Sequence, residues 1–355
     1  MSRILLAVIV AMAVLAGVFY LRGGDEHRIA VAESVKTADA KAPGSPSPEV
    51  VLTIKPGTQP PKAPTSAPKL SPLMQELTTG YGKPLYDRLS QKTSRTPEEN
   101  YVLARLMELC TEVPGTPRPK VASNSDEARQ AFTASVSEKD PDRAKRLAAF
   151  ERMNEKRCSG FDGMKSDPKV IKDLIDQAAA AGDPKARARV VDRDVWATCC
   201  SDGTVRGDKL PTISNEQLHA LQEALRSGDP HVMLIAGSLL SSTMGDLMIR
   251  AGPDERPIDN RAFYNAWTLA ACNAGYECGP NSNMLLNGCA NMGNCGAQNV
   301  EEYLYFYSNS PQQSQLINEY RAQLTRAMQS GDWSYFTFVR ARPPQGTTWG
   351  FRGGW

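Results

Sequence analysis

Hydrophobic residues follow three successive patterns along this chain. Residues 4–21 are continuously apolar and uncharged, residues 33–71 are rich in proline, small residues and lysine, and apolar residues recur at helical spacing beyond them. An apolar helix of 18 residues is about 27 Å long, close to the hydrocarbon thickness of a bilayer. The patterns predict a signal anchor and transmembrane helix (1–22), a disordered Pro-rich tether (23–72), a disulfide-stapled helical domain (73–340) and an irregular tail (341–355).

The apolar run also predicts where the protein resides. The nearest small-x-small cleavage site, Ala30-Val31-Ala32, is separated from the run by a charged stretch, so we expect an uncleaved anchor. Cleavage near Ala32, which would release the chain into the periplasm, is the alternative. Arg3 and the free amine favour a cytoplasmic N-terminus, and all eight cysteines lie after residue 100, as expected in an oxidising compartment. We expect a single-pass protein of the bacterial inner membrane with most of the chain in the periplasm.

The segment after the apolar run is dominated by proline. Nine of the 25 prolines lie between positions 43 and 72. Such a segment lacks the apolar surface that would offset the entropy lost on ordering, and we expect an extended tether. The formal net charge of the whole chain, +2 over 355 residues, is too small to indicate nucleic acid as a partner.

The region from residue 73 carries repeated signals for helix boundaries. A Ser, Thr or Asp followed by Pro can cap free backbone amides, while proline occupies the first helical position, where its missing N–H has no partner to lose. Ser214 and Gln217 add a capping box, and glycines follow several apolar runs. These signals predict an all-α domain. The capping pairs begin at Thr96, Asp140, Asp167, Asp183, Asp229 and Ser310, and the helix-ending glycines are Gly182, Gly228, Gly275 and Gly331.

The spacing of these glycines predicts how the helices are arranged. They are 46, 47 and 56 residues apart, which is typical of stacked helical hairpins, although Gly-Asp is also a common joint between helices and the spacing could be accidental. Residues 266–285, AWTLAACNAGYECGPNSNML, resemble the aromatic, Ala-Ala and Gly core of Sel1-like repeats, a branch of the tetratricopeptide-type solenoids. Residues 177–190 and 220–240 are similar. The resemblance implies an irregular solenoid of stacked helical hairpins that binds other proteins.

Four cysteines lie in and after the segment that resembles a Sel1-like repeat. In cysteine-rich members of that family, a cysteine after the Ala-Ala pair bridges to one at the start of the following helix. Cys272 and Cys278 resemble this arrangement, and chain reach permits the bridge. We expect local disulfides between Cys272 and Cys278 and between Cys289 and Cys295. Swapped pairings among the four remain open.

The other four cysteines allow a different prediction. A disulfide between the adjacent Cys199 and Cys200 would form a strained ring, so we expect each of them to pair with Cys110 or Cys158. Such long-range crosslinks would tie the early helices to the later ones. A redox role for Cys199-Cys200 and a zinc site are the alternatives, although the cysteine spacings fit neither well.

Residues with catalytic potential are sparse. His27 lies beside the predicted membrane helix, and His219 and His231 lie in helical segments without a nucleophile motif. The acidic pairs Glu98-Glu99 and Glu301-Glu302 stand at helix starts, where negative charge favours the helix dipole. No Walker loop, zinc-protease motif or dinucleotide fingerprint is present. We expect no catalytic residue, no metal site and no cofactor.

Aromatic residues provide the candidate binding surface. Four aromatic side chains between residues 303 and 307 cannot all face one core, so some should reach a surface or groove, where rigid rings contact peptides or glycans. Packing between helices is the alternative. The tail, residues 341–355, is rich in Gly and Trp and either folds back onto the domain or binds a partner. The candidate binding residues are Tyr303, Tyr305, Phe306, Tyr307, Trp267 and Trp333.

These observations predict a binding function. We expect a membrane-tethered periplasmic helical scaffold that binds a protein or peptide of the cell envelope, with the tether raising its concentration near the membrane. A cell-envelope hydrolase of unrecognised type is one alternative. A redox or assembly helper is the other, and it rests on the cysteines alone.

Overall fold

The structure, a computed structural model, describes residues 50–52, 70–114, 126–155, 158–200 and 209–340. These residues form a mostly helical region whose cysteines are paired as disulfides. The expected anchor and tail lie outside the described residues, as does most of the tether. No helix among the described residues is both long and apolar enough to span a bilayer.

Thirteen α-helices and four short strands make up the described residues. The helices are α1 (Pro72–Thr79), α2 (Gly82–Ser90), α3 (Pro97–Cys110), α4 (Asp126–Ser135), α5 (Arg143–Glu155), α6 (Pro168–Ala180), α7 (Pro184–Ala197), α8 (Asn215–Leu225), α9 (Pro230–Leu240), α10 (Asn260–Asn273), α11 (Asn283–Met292), α12 (Val300–Tyr303) and α13 (Pro311–Ser330). A π-helical turn, Leu304–Ser308, continues α12. The strands are β1 (Val50–Leu52), β2 (Leu247–Ala251), β3 (Arg256–Pro257) and β4 (Phe336–Arg340).

The predicted capping signals explain where most helices begin. The side chain of each expected cap accepts a hydrogen bond from a backbone amide in the first turn. Asp140 is the exception, because it lies in a turn and α5 begins later, at Arg143. Ser214 and Gln217 form the predicted capping box. The four expected glycines all follow helices with positive φ, between 68° and 96°. The confirmed Ser/Thr/Asp-Pro caps are Thr96, Asp167, Asp183, Asp229 and Ser310.

The prediction of an all-α domain is wrong in one respect, because the strands form a four-stranded sheet in the order β1-β4-β2-β3. Strands β2 and β4 pair antiparallel, with Ile249 opposite Phe338. Residues Val50–Leu52, inside the expected tether, pair with β4 as an edge strand. The expected tether is therefore structured at these three residues, and its expected end at residue 72 falls at the first residue of α1.

Two hydrophobic cores account for most of the packing. The N-terminal core joins α1, α2, α3 and α6 with the start of α7. The C-terminal core joins the rest of α7 with α8, α9, α10, α13 and the sheet. A smaller cluster packs α5 against α11 through Phe150 and Leu286, and Arg146 of α5 donates a 2.8 Å hydrogen bond to the carbonyl of Ala290. Helix α7 therefore belongs to both major cores and connects them.

Candidate functional site

The π-helical turn after α12 separates the aromatic residues that follow one another between positions 303 and 307. A change of helical period changes which side chains face the core. Tyr303 and Leu304 are buried, whereas Phe306 is 77% exposed and Tyr307 is 43% exposed. The turn thus places the rings of Phe306 and Tyr307 at the surface. The sequence predicts that some of the four aromatic side chains reach a surface.

Two glycines allow the aromatic turn to lie close to α11 and the loop that follows it. A Cβ atom at Gly288 would lie 2.5 Å from Cε2 of Tyr303, and one at Gly296 would collide with the Tyr307 hydroxyl. The two tyrosine rings are stacked, with centroids 6.5 Å apart. The exposed ring of Tyr307 therefore rests on a close-packed base rather than on a mobile side chain.

A third exposed apolar side chain contacts the buried Tyr303, on which the ring of Tyr307 stacks. Met292, at the end of α11, is 63% exposed and its Sδ lies 3.5 Å from the Tyr303 hydroxyl, which donates to it. The disulfide between Cys289 and Cys295 closes the loop that carries Met292. We call Met292, Phe306 and Tyr307 the Phe306 patch.

Polar contacts fix the Phe306 patch to the helical domain. Arg261 of α10 donates to the hydroxyl of Ser308 at 3.0 Å, and the Tyr305 hydroxyl donates to Asn318 Oδ1 of α13 at 2.5 Å. Burial raises the pKa of Tyr305, and the nearby Glu301 carboxylate adds to the shift. Tyr305 is thus half-buried and acts as a support of the patch rather than as part of its exposed face.

Two of the candidate binding residues lie in the C-terminal core. Trp267 is fully buried, and Gly237 of α9 lies against its side chain so closely that a Cβ atom there would collide with it. Trp333 is 7% exposed, and its ring stacks on that of Trp267 with centroids 6.2 Å apart. The expectation that Trp267 binds a partner is wrong, because its ring has no accessible surface. Trp333 is buried too, although one edge lines a small apolar cleft.

The disulfides match the sequence expectations in one half of the chain and differ in the other. Cys272 pairs with Cys278 and Cys289 with Cys295, across Cα separations of 5.6 and 4.3 Å. The expectation that Cys199 and Cys200 pair with Cys110 and Cys158 is wrong. Cys110 at the end of α3 pairs instead with Cys158, because the chain from α5 returns to α3, where the Glu112 and Met164 backbones are hydrogen-bonded. Cys199 and Cys200 pair with each other.

A buried charge cluster joins the amino ends of α3, α7 and α9. The ammonium of Lys185, whose side chain is 5% exposed, lies 2.9 Å from Glu98, 3.2 Å from Asp183 and 3.6 Å from Asp229. Burial alone would lower the pKa of Lys185, but the Asp183 and Asp229 carboxylates and the hydrogen bond to Glu98 outweigh it and raise the pKa. Lys185 is therefore held as a cation.

Sequence reasoning missed this cluster, which we call the Lys185 cluster. Asp183 and Asp229 were recognisable as helix caps, and Glu98 as a first-turn acid, but nothing local indicated that the three converge. Tyr101 lies against the same cluster, with its ring 6.0 Å from the Lys185 ammonium, and burial raises the pKa of its hydroxyl. A cationic, carboxylate-paired lysine cannot act as a nucleophile or base, so the arrangement suits helix joining rather than chemistry.

The remaining candidates for chemistry have structural partners. Glu99 completes the capping box of Thr96, and Glu301 pairs with Arg321 at 2.7 Å. The ring of His231 packs edge-on against Tyr101, and His219 lies at the exposed surface of α8. Within the described ranges, no group of three or more His, Cys, Asp or Glu residues could hold a metal ion.

The Phe306 patch is therefore the described surface that best fits the expected binding role. It combines exposed aromatic and thioether side chains with a base fixed by a disulfide, two close glycine contacts and hydrogen bonds. Rigid, exposed aromatic residues of this kind are enriched where proteins bind one another. Comparisons of the chain with protein-family models, with curated proteins and with solved structures found no match.

Proposed function

We propose that this protein is a membrane-tethered helical scaffold of the bacterial periplasm that binds another envelope protein or peptide through the Phe306 patch. The observation that carries the proposal is the exposure of Phe306, 77%, on a turn whose neighbouring ring, Tyr303, is buried. A partner that covered Phe306 would remove its ring from water. This burial would contribute about 2 kcal/mol to the free energy of binding.

The support beneath the patch favours a binding role. Side chains that are already ordered lose little conformational entropy when a partner docks, which increases affinity for a given contact area. Tyr307 stacks on the buried Tyr303, and Ser308 is held by Arg261. π-helical turns such as Leu304–Ser308 are also frequent at functional sites.

The arrangement of helices supports a scaffold. Helices α6, α7, α8, α9 and α10 each pack against the next along the chain, and α7 also packs against α9. Neighbour-to-neighbour packing of this kind is typical of helical-repeat proteins, and we propose that the region belongs to the irregular, Sel1-like type of solenoid. The proposed N-terminal anchor and tether would keep the patch near the membrane and raise the effective concentration of a membrane-bound partner.

The test compares Phe306→Ala with a matched variant of an exposed ring elsewhere. Tyr81, 60% exposed between α1 and α2, provides that control. The full chain carrying an affinity handle is expressed in its own membrane, crosslinked in cells and purified. We expect Phe306→Ala to reduce the yield of specific crosslinked partners about tenfold or more, as for a central interface residue, and Tyr81→Ala to leave it unchanged.

Two results would overturn the proposal. One is an unchanged set of partners for Phe306→Ala. The other is an equal loss for Tyr81→Ala, which would show that any exposed ring supports the capture. Circular dichroism of both variants establishes that they retain the helicity of the parent chain.

A further inference from the structure

An apolar cleft lies between α8 and β4, away from the charge and disulfide features described above. It has a volume of about 50 Å³ and is open on one side. The exposed side chain of His219 and the amide of Gln222 contribute to its rim. We call it the α8 cleft, and its apolar walls are Leu218, Leu221, Leu225, Leu240, Trp333 and Phe338.

The size and lining of the α8 cleft restrict what can occupy it. Sites for complete small-molecule ligands usually measure about 300–1,000 Å³, so this cleft can hold only part of a molecule. The side chains that line the cleft lack van der Waals contacts on its open side. A single hydrophobic side chain inserted there would supply them. The edge of one aromatic ring is an occupant of suitable shape and chemistry.

The chain itself leads to the cleft. Phe338 of β4 forms one wall, and two residues later Arg340 is fixed at the beginning of α8. The Arg340 guanidinium donates to the carbonyl of Ile213 at 2.5 Å and to Asn215 Oδ1 at 2.6 Å. The last described residue, Arg340, therefore lies beside the first turn of the helix whose later turns line the cleft.

The segment 341–355 carries suitable rings within reach. Trp349 lies nine positions after Arg340, a span of at most about 30 Å. Helix α8, with 11 residues, is about 16 Å long. Trp349 can therefore reach any part of the cleft. Phe351 and Trp355 follow it in the sequence.

Charge favours the same contact. The segment 341–355 contains Arg342 and Arg352 and no acidic residue. Helix α8 exposes Glu216 in its first turn, whereas Glu223 is half-buried and pairs with Arg226 at 2.8 Å. An aromatic and basic segment is thus complementary to an apolar cleft on a helix whose first turn carries an exposed carboxylate.

We propose that the α8 cleft is the docking site for the segment 341–355 of the same chain, with the ring of Trp349 inserted between α8 and β4. An arginine of the segment then lies near the exposed Glu216 of α8. This inference concerns a surface other than the Phe306 patch and does not depend on the proposed partner binding.

Site-specific photocrosslinking tests the contact directly. The photoreactive residue p-benzoylphenylalanine replaces Trp349 in the full chain, and the crosslinked peptides are identified by mass spectrometry. We expect crosslinks to residues of the α8 cleft within a chain of monomeric mass, at a yield independent of protein concentration. The same residue at position 355 is the matched control, and we expect at least a tenfold lower yield in the cleft. Crosslinks mapping elsewhere, or only in dimers, would overturn the proposal, and dimers would assign the cleft to a second copy.

Hydrogen exchange provides a readout that needs no crosslink. In the full chain, Trp349→Ala should increase amide exchange of residues 218–225 about threefold or more, because the cleft loses its cover. Trp355→Ala should leave this exchange unchanged. An unaltered rate in Trp349→Ala, or an equal increase in Trp355→Ala, contradicts the proposed insertion. Neither substitution touches a described residue, so an altered fold is not expected and circular dichroism verifies this.

Discussion

The two cores of the described region are organised around joints of different chemistry. The amino ends of α3 and α7, which belong to the N-terminal core, meet that of α9 at the Lys185 cluster, where one buried cation faces three carboxylates. In the C-terminal core, α9 and α10 meet at Trp267, whose side chain lies against Gly237 and stacks on Trp333. One joint is held by charge and the other by apolar area.

The difference teaches how each joint sets the geometry of its helices. Ion pairs are directional, and a buried cation requires its partners in place, so the Lys185 cluster specifies which helix ends converge. The Trp267 joint depends on close packing, which the absence of a Cβ atom at Gly237 permits. The stability that the Lys185 cluster provides should therefore depend on pH, and the stability that the Trp267 joint provides should depend on side-chain volume.

The largest expected effect is at the aromatic joint. Trp267→Ala removes a fully buried ring and leaves a cavity between α9, α10 and Trp333, so we expect the free energy of unfolding to fall by about 3–5 kcal/mol. Urea unfolding followed by circular dichroism measures it. Phe306→Ala, which removes an exposed ring from the same core region, is the control and should change stability by less than about 0.5 kcal/mol. A loss below 1 kcal/mol for Trp267→Ala would contradict the packing argument.

The second prediction compares the stabilisation provided by one disulfide of each region. Cys110–Cys158 closes a loop of 48 residues, whereas Cys272–Cys278 spans 6. Since a longer loop loses more entropy in the unfolded chain when it is closed, replacing the first pair by alanines should cost about 4 kcal/mol and replacing the second about 2 kcal/mol. Equal losses would show that native contacts, rather than loop length, determine the contribution of each bond.

Much of the fold could be predicted because its signals are local. A cap and the following proline act within one helical turn, so Thr96, Asp167 and Ser310 could be recognised without knowledge of the rest of the chain. The disulfide between Cys272 and Cys278 joins residues that flank a single glycine-turned joint; the resemblance to Sel1-like repeats implies this pairing, and chain reach permits it.

What could not be predicted depends on contacts between distant residues. The sheet pairs Ile249 with Phe338. Neither strand shows a regular alternation of apolar and polar residues, so the sequence carries no strand signal there. Cys110–Cys158 requires the return of the chain from α5 to α3. The π-helical turn alters the period between Tyr303 and Phe306, so regular helical spacing could not tell which ring is exposed.

A third prediction concerns the charged joint. Lys185→Met fills a similar volume but leaves the carboxylates of Asp183, Asp229 and Glu98 without their cation, and we expect a loss of about 3 kcal/mol near neutral pH. Lys169→Met removes an exposed partner of an i,i+4 pair and should have no measurable effect. Urea unfolding of both variants checks the difference, and equal losses would contradict the role assigned to burial.

The pH dependence of stability shows whether the loss of stability in Lys185→Met comes from charge or from packing. The deficit should shrink at alkaline pH, where the parent chain also loses the stabilisation that its ammonium provides. In the parent chain, the raised pKa of Lys185 means that its contribution is complete below its ordinary pKa of about 10.4 and is lost as the pH rises through the folded-state pKa. A deficit independent of pH would assign the loss to packing instead.

The smallest effect is expected at the disulfide that follows α7. Cys199 and Cys200 are adjacent at the end of α7, so their bond closes no loop of chain and removes little entropy from the unfolded state. Replacing both by alanine should change the free energy of unfolding by less than about 1 kcal/mol, much less than the Cys110–Cys158 replacement. Peptide mapping without reduction first verifies the pairing in the parent chain. A loss as large as that for Cys110–Cys158, or a map in which Cys199 bridges to α3, would restore the long-range crosslink between the two cores that the sequence predicts.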